Sequence, residues 1–180
     1  MKSVLIMMVL VSLTVSASSS SSDFDALKVR AEQGDAIAQH NLGAMYAAGE
    51  GTPQDFKAAL KWNMLAAEQG NAVSQFVLGH MYNSGKGTLQ DYKVANKCYK
   101  LAAGQGYALA QFTLAVVYAT GQGMPQDYKS AHMWANLAAA SGEENSAGLR
   151  DILAKRMTPE DISEAQQMAK DWMEQHPAAQ

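Results

Sequence analysis

The sequence predicts an all-α solenoid, a stack of two-helix repeats with about nine helices in total. Three observations lead to this prediction. A residue pattern recurs at a step of 36 positions, each copy contains two stretches of helical periodicity, and the chain has 31 alanines against 4 prolines. Alanine favours helix and proline interrupts it. One helix pair cannot bury both its faces, whereas stacked pairs share a continuous core.

The repeat is carried by residues of several types at fixed positions in three ungapped copies, 36–71, 72–107 and 108–143. The recurring residues are Gln39, Gln75 and Gln111; Tyr46, Tyr82 and Tyr118; Asp55, Asp91 and Asp127; Lys57, Lys93 and Lys129; and Gly70, Gly106 and Gly142. A Gly-x-Gly pair precedes each of the three aspartates. Agreement at this many positions identifies a structural repeat.

Each copy predicts two helices, which we call helix A and helix B. In the first copy Ala38, Leu42 and Tyr46 lie on one face of helix A. The glycines and proline of 49–53 then interrupt the helix. Asp55 is the expected N-cap of helix B, because its carboxylate can accept the free N–H groups there.

The two ends of the domain, which we place at 24–176, predict partial repeats. Residues 24–35 resemble the closing half of a repeat and predict one leading helix B. Residues 144–176 predict two capping helices, the last with Thr158 as its N-cap, Pro159 in its first turn and Asp161 in the capping-box position. Its apolar face consists of Ile162, Ala165, Ala169 and Trp172, and its other side is polar, as suits a terminal helix with one solvated face.

The first 17 residues have the pattern of a signal peptide. Lys2 precedes an apolar run, and small residues follow at 15–17, where a signal peptidase would cut. Residues 18–23, which are rich in serine, predict a flexible tether. Cleavage would leave 163 residues with a net charge of −4, destined for the periplasm or for secretion. The alternative is a leader that stays uncleaved as a short anchor.

The pattern Ala-x-x-Gln-x-x-Leu-Gly-x-x-Tyr-x-x-Gly-x-Gly, followed by Asp-x-x-Lys-Ala-x-x-Trp-x-x-x-Ala-Ala-x-x-Gly, resembles the Sel-one-like repeat, a relative of the tetratricopeptide repeat. It is almost complete at 36–70, whereas the second copy departs at Val94 and Cys98 and the third at Ala115 and Ser130. The resemblance implies a right-handed α/α solenoid. It also implies a scaffold or adaptor role in protein complexes.

By the same resemblance, helix A positions beside the Leu-Gly-x-x-Tyr core would line a concave groove that binds a protein or peptide. The candidate residues are Ile37, His40, Ala44, Val73, Phe76, His80, Asn83, Leu109, Phe112, Val116 and Thr120. None is lysine or arginine, so the groove should prefer an apolar or neutral segment over a C-terminal carboxylate. The alternative for Phe76 and Phe112 is that they pack between repeats.

No catalytic, metal or cofactor site is expected, so the sequence predicts a protein that is not an enzyme. The four histidines occupy unrelated repeat positions and no two share a helix at i, i+4, whereas zinc needs clustered ligands. Gly79 to Lys86 departs from a phosphate-binding loop in its spacing. Cys98 stands where tryptophan is usual, which favours a buried inert thiol, although a disulfide between two copies would be an alternative.

Composition limits the kinds of partner that the protein could bind. A mildly acidic chain without a run of basic residues is a poor candidate for nucleic acid binding, and no apolar run after the leader is long enough to span a bilayer. We therefore expect a monomeric, exported adaptor that binds another protein, of the cell envelope or of a host. The alternatives are a protein that binds a β-lactam or a cell-wall ligand, a secreted virulence or host-interaction factor, and an inhibitor or immunity factor.

Overall fold

The structure, a computed structural model, describes residues 21–177, and over this range the chain forms nine α-helices and no strands. The helices are α1 (Ser21–Glu32), α2 (Ala36–Ala48), α3 (Phe56–Glu68), α4 (Ala72–Ser84), α5 (Tyr92–Gly104), α6 (Ala108–Thr120), α7 (Tyr128–Ala140), α8 (Ser146–Ala154) and α9 (Pro159–Gln175). The predicted all-α solenoid is confirmed. The predicted leader and residues 18–20 lie outside the described residues, while 21–23 of the predicted tether are helical and belong to α1.

The helices B begin where the sequence predicted, at a recurring aspartate. Asp55 has extended backbone angles and accepts hydrogen bonds from the backbone N–H groups of Lys57 and Ala58, at 2.9 and 3.0 Å. Asp91 and Asp127 cap α5 and α7 in the same way. A cap of this kind contributes about 1 kcal/mol to stability, so the repeated aspartates are explained by the fold.

The loop between helix A and helix B closes on the end of helix A. Gly49 ends α2 with a φ of +76°, a left-handed conformation that glycine adopts without strain. The Asp55 N–H then donates to the Tyr46 carbonyl at 2.9 Å, and the Gln54 side chain donates to the Ala47 carbonyl at 2.8 Å. The same bonds recur in the other two repeats, which makes each loop a rigid connection.

A buried glutamine in each helix A joins consecutive helices B. The Gln39 amide donates to the Ala31 carbonyl of α1 at 3.1 Å, and its oxygen accepts from Gln69 at the end of α3 at 2.8 Å. Gln75 and Gln111 make the equivalent pairs of bonds. The recurrence of this glutamine was visible in the sequence, but its bridging role was not.

The helices stack in chain order. Each helix A packs on the helix B of its own repeat and on the helix B before it, through small buried residues. Leu42 in the first repeat and Leu114 in the third are completely buried between them. Alanines at the contacts allow the helices to approach closely.

The first described helix, α1, has a charged residue where the later helices B have a buried alanine. Arg30 of α1 occupies the repeat position at which the later helices B have the fully buried Ala66, Ala102 and Ala138. No helix A covers this position in the described chain, and Arg30 forms an exposed ion pair with Asp35 at 2.6 Å. A charged residue therefore replaces alanine where the stack ends.

The last helix does not continue the stack. α8 packs on α7 as an additional helix A would, but α9 also packs on α7, on a face that is left open in α3 and α5. Thr158 caps α9 as predicted, accepting from the Asp161 N–H at 3.1 Å. The Asp161 carboxylate lies 3.2 Å from the Lys129 ammonium group of α7, so the packing of α9 on α7 gives this carboxylate an ion-pair partner.

Candidate functional site

The exposed side of α2, α4 and α6 carries no formal charge. These three helices contain no aspartate, glutamate, lysine or arginine. The eleven candidate groove residues all lie on them, and we call this set the A face. Since an unpaired charge is costly to bury, an uncharged surface favours an uncharged partner segment.

The A face is partly accessible throughout its length. Its exposed members are Ile37, Ala44, Val73, His80, Val116 and Thr120, and its half-buried members are His40, Phe76, Asn83, Leu109 and Phe112. The exposed fraction of Ile37 reaches 63%. The A face therefore has partly accessible, apolar to neutral side chains in each of the three repeats.

Within the A face, Phe76 and His80 meet two rings from outside it, Tyr99 of α5 and Tyr107 before α6, and we call these four rings the aromatic cluster. Tyr99 is buried, with 2% of its surface exposed. The Phe76 ring lies 5.4 Å from His80, 5.7 Å from Tyr99 and 5.3 Å from Tyr107, measured between ring centroids. Aromatic pairs prefer such tilted and edge-to-face contacts. Phe76 also packs against the buried core around Leu114, so packing within the stack is part of its role.

Two members of this cluster, Tyr99 and Tyr107, were not predicted from the sequence, because both are departures from the repeat. Tyr99 stands where the other repeats have Asn63 and Ala135. Tyr107 stands where the first repeat has Asn71, whose side chain caps α4; Tyr107 makes no side-chain cap to α6. Comparing unmatched positions between copies, as well as matched ones, would have identified both residues.

The first repeat has His40 and Asn63 at the positions of Phe76 and Tyr99. His40 Nδ1 lies 3.2 Å from Asn63 Oδ1 and 3.0 Å from Ser74 Oγ. The Asn63 amide nitrogen donates to the Ala59 carbonyl, which leaves its oxygen to accept. We therefore assign the His40 proton to Nδ1. The polar pair His40 and Asn63 is thus replaced by two aromatic rings in the second repeat.

Ionisable groups on this face are held neutral. Burial lowers the pKa of His40, and burial together with nearby Lys86 lowers the pKa of His80. Burial raises the pKa of the Tyr107 hydroxyl. At neutral pH both histidines can therefore donate and accept hydrogen bonds without adding charge to the surface.

The arrangement does not supply catalytic machinery around His40. Ser74 is fully buried, and both Ser74 and Asn63 face the same ring nitrogen, whereas a nucleophile, base and orienting group need both nitrogens. No group of three or more potential metal ligands occurs within 21–177. Cys98 is half-buried, and burial raises its pKa, which disfavours the reactive thiolate.

A shallow depression lies between α7 and α9, away from the A face. It is lined by Asn136, Gln166, Ala169, Lys170 and Met173. No serine or cysteine is among these residues, so the depression gives no support to the β-lactam alternative. None of the described helices is long and apolar enough to cross a membrane.

Comparison with known families accounts for the repeated architecture. The Sel1 repeat model matches the chain three times, at 36–71, 72–107 and 108–143. The chain belongs to the Sel1 repeat family. Sel1 repeat proteins generally mediate interactions between proteins, and the repeat is typically a non-catalytic scaffold. No curated protein matches the chain as a whole.

Two solved structures are similar to this Sel1 repeat protein. One is a protective antigen present in uropathogenic Escherichia coli strains that displays an SLR fold; identity is 32% and the TM-score 0.80, over 87% of this chain and 34% of the antigen. The other is a Sel1 repeat protein from Oxalobacter formigenes, with 35% identity and a TM-score of 0.67, over 72% of this chain and 97% of the relative. The chain thus spans about a third of the antigen's length.

Proposed function

We propose that this protein is a non-enzymatic adaptor, exported to the periplasm or secreted, that binds a partner protein on its A face. The observation that carries the proposal is the aromatic cluster. Residues that hold the stack together recur in every repeat, whereas Tyr99 and Tyr107 depart from the repeat. They bring four rings together beside the uncharged A face, of which His80 is exposed, Phe76 and Tyr107 are half-buried and Tyr99 is buried. Aromatic residues commonly anchor protein interfaces.

The chemistry of the A face selects the kind of partner. An apolar or neutral segment, in a helix or an extended strand, can cover Ile37, Val73 and Val116 without burying an unpaired charge. His80 and Tyr107 add hydrogen-bonding groups at the edge of the aromatic cluster. We expect an apolar side chain of the partner to contact this cluster, with no cofactor involved.

Export is supported by the sequence of residues 1–17, where a basic residue, an apolar run and small residues follow one another. The test is the N-terminus of the protein recovered from its native cell. Cleavage after Ala17 and recovery outside the cytoplasm are expected, while a cytoplasmic protein that retains Met1 would contradict export.

Binding on the A face is tested by site-specific photo-crosslinking in the cell that makes the protein. A benzophenone amino acid replaces Val116, which is exposed on the A face, or Leu89, which is exposed in the loop before α5. A discrete adduct with one protein is expected from position 116 and not from position 89. Mass spectrometry of the adduct identifies the partner.

Matched variants then test the aromatic cluster. His80→Ala introduces the residue that the first repeat has at this position, Ala44, so the fold should tolerate it. We expect it to reduce the adduct at position 116 by about tenfold, as for an interface anchor. His176→Ala, on a histidine that stacks on Trp172 of α9, is the control and should leave the adduct unchanged. Equal adducts from positions 116 and 89 would disprove binding on the A face.

A second candidate, a secreted host-interaction factor, is favoured by the similarity to a protective antigen of uropathogenic Escherichia coli strains. In this case the partner at position 116 would be a host protein. Crosslinking of the purified protein on host cells, compared with crosslinking in the producing cell, distinguishes the two candidates by the source of the adduct.

A further inference from the structure

The packing of α9 on α7 shows what kind of element can cover a helix B. Leu137 of α7 and Ala169 of α9 are buried together in one cluster. At the beginning of both helices Lys129 is 2.8 Å from Glu164 and 3.2 Å from Asp161. The two helices therefore run parallel, with carboxylates of α9 on a lysine of α7 and apolar residues further along.

The same face is open in α3 and α5. The residues at the positions of Lys129, Met133 and Leu137 are Lys57, Lys61 and Leu65 in α3 and Lys93, Lys97 and Leu101 in α5, and we call these six residues the B face. No other described helix packs on α3 or α5 apart from their neighbours in the stack. As a result, the exposed fraction is 59% for Leu101 but 2% for Leu137.

The B face is also the basic part of an acidic protein. Residues 56–104 contain six lysines, four of which are on the B face, and only two acidic residues, Glu68 and Asp91. The net charge of the whole chain, by contrast, is −3. Asp91 is engaged in capping α5. Ion pairs in the described range involve Arg30, Lys129 and Arg150, so none of these six lysines is neutralised by a carboxylate within 4.0 Å.

We propose that the B face of α3 and α5 binds an acidic amphipathic helix of a partner protein. The partner helix would lie parallel to α3 or α5, with carboxylates in its first turns beside Lys57 or Lys93. Its apolar residues would cover Leu65 or Leu101, as those of α9 cover Leu137. Lys61 and Lys97 occupy the position that Met133 has in α7. The partner helix would therefore need one further carboxylate, about one helical turn after the first. This surface is distinct from the A face, and the proposal does not depend on what the A face binds.

The probe is a fluorescein-labelled peptide with the sequence of residues 158–176, added to the full-length protein and followed by fluorescence anisotropy. We expect saturable binding that weakens as salt rises from about 0.05 M to about 0.5 M, because exposed charges are screened. A peptide with Asp161→Asn and Glu164→Gln should bind about tenfold more weakly, because it lacks the two carboxylates that would pair with lysines of the B face.

Variants of the protein locate the site. Lys93→Glu combined with Lys97→Glu should weaken binding by about tenfold or more. Both residues are exposed, so the fold should be retained, which circular dichroism checks. Lys155→Glu, an exposed lysine near the end of α8, is the matched control and should bind as the unmodified protein does. His80→Ala on the A face should also leave peptide binding unchanged.

Three outcomes would overturn the proposal. The first is absence of saturable binding. The second is equal binding to the unmodified protein and to the double variant, which would locate the peptide elsewhere, for instance on α7 after displacement of α9. The third is binding of the protein to vesicles of phosphatidylserine but not to the peptide, which would identify the B face as a membrane-binding surface.

Discussion

The ring of Tyr99 occupies the space beside Gly79 that any larger residue at position 79 would fill. A Cβ atom at this glycine would overlap the Cδ1 and Cε1 atoms of the tyrosine. In the first repeat Gly43 faces the Asn63 amide in the same manner. A glycine in helix A thus permits a larger side chain in helix B to reach the A face.

The third repeat shows the reverse combination. There the helix B residue is Ala135 and the helix A residue is Ala115, both completely buried. The departure at Ala115 therefore has a structural reason, because a small partner leaves room for a Cβ. The pair of positions, rather than either one alone, determines which side chains fit between helix A and helix B.

Gly79→Ala should destabilise the protein by about 1–3 kcal/mol, because the new methyl group overpacks a filled core. Gly148→Ala is the control, since nothing lies within 4 Å of a Cβ at this helical glycine. It should be neutral or stabilising by up to about 1 kcal/mol. Urea unfolding of both variants measures the difference.

The same pair can be tested for coupling. In the background of Tyr99→Ala, which removes the ring, Gly79→Ala should no longer destabilise. An equal cost of Gly79→Ala with and without the ring would show that overlap with Tyr99 is not the cause.

Leu137→Ala should lower the free energy of unfolding by about 2–4 kcal/mol, because it opens a cavity beneath α9. Leu101→Ala changes the equivalent residue of the second repeat, which is exposed, and should cost less than about 0.5 kcal/mol. Thermal and urea unfolding compare the two. Similar losses in both variants would contradict the packing of α9 on α7.

Stability should fall as the pH is lowered from 7 to 5. Burial holds the pKa of His40 below its ordinary value of 6.5. Partial burial together with nearby Lys86 lowers the pKa of His80, and burial together with nearby Arg150 lowers that of His132. The unfolded chain therefore takes up protons first, so stability is full above about pH 6.5 and decreases as the pH falls through the pKa values of the folded protein.

Equilibrium unfolding at a series of pH values measures this dependence, and His40→Phe should make it shallower. Phenylalanine is the residue that the other repeats have at this position, Phe76 and Phe112. A stability that is constant or rises between pH 7 and pH 5 would show that the histidines are not buried as described.

Cys98 should react slowly with a thiol reagent. It is half-buried, and burial raises its pKa, so the thiolate fraction at neutral pH is small. Labelling with a chromogenic disulfide should be markedly slower in the native protein than in urea. Rapid labelling, or a dimer on a gel without reductant, would favour the alternative of a disulfide between two copies.

Local features of the chain could be predicted well from the sequence. The helix limits follow from periodicity and from caps such as Asp55 and Thr158, whose partners lie within three residues. The bridging role of Gln39 could not be predicted, because its partners Ala31 and Gln69 belong to two different helices. A recurring residue indicates a role in the fold without showing which contact it makes.

The candidate surface was predictable only in part. The positions on helix A follow from the repeat, and the structure leaves six of the eleven exposed and five half-buried. Tyr99 and Tyr107 escaped prediction since they come from helix B and from the turn before α6, and they meet Phe76 only in the folded chain. The lysines of the B face are likewise dispersed along the sequence and gathered by the stack.

The sequence alone determined the stack of Sel1 repeats, because helix periodicity, glycine turns and aspartate caps act over a few residues and recur at a constant step. Only the tertiary structure decided that α9 leaves the stack to cover α7 and that three other rings gather around Phe76. These outcomes depend on volumes and charges of residues far apart in the chain, such as Lys129 and Glu164, whose contact no local pattern encodes.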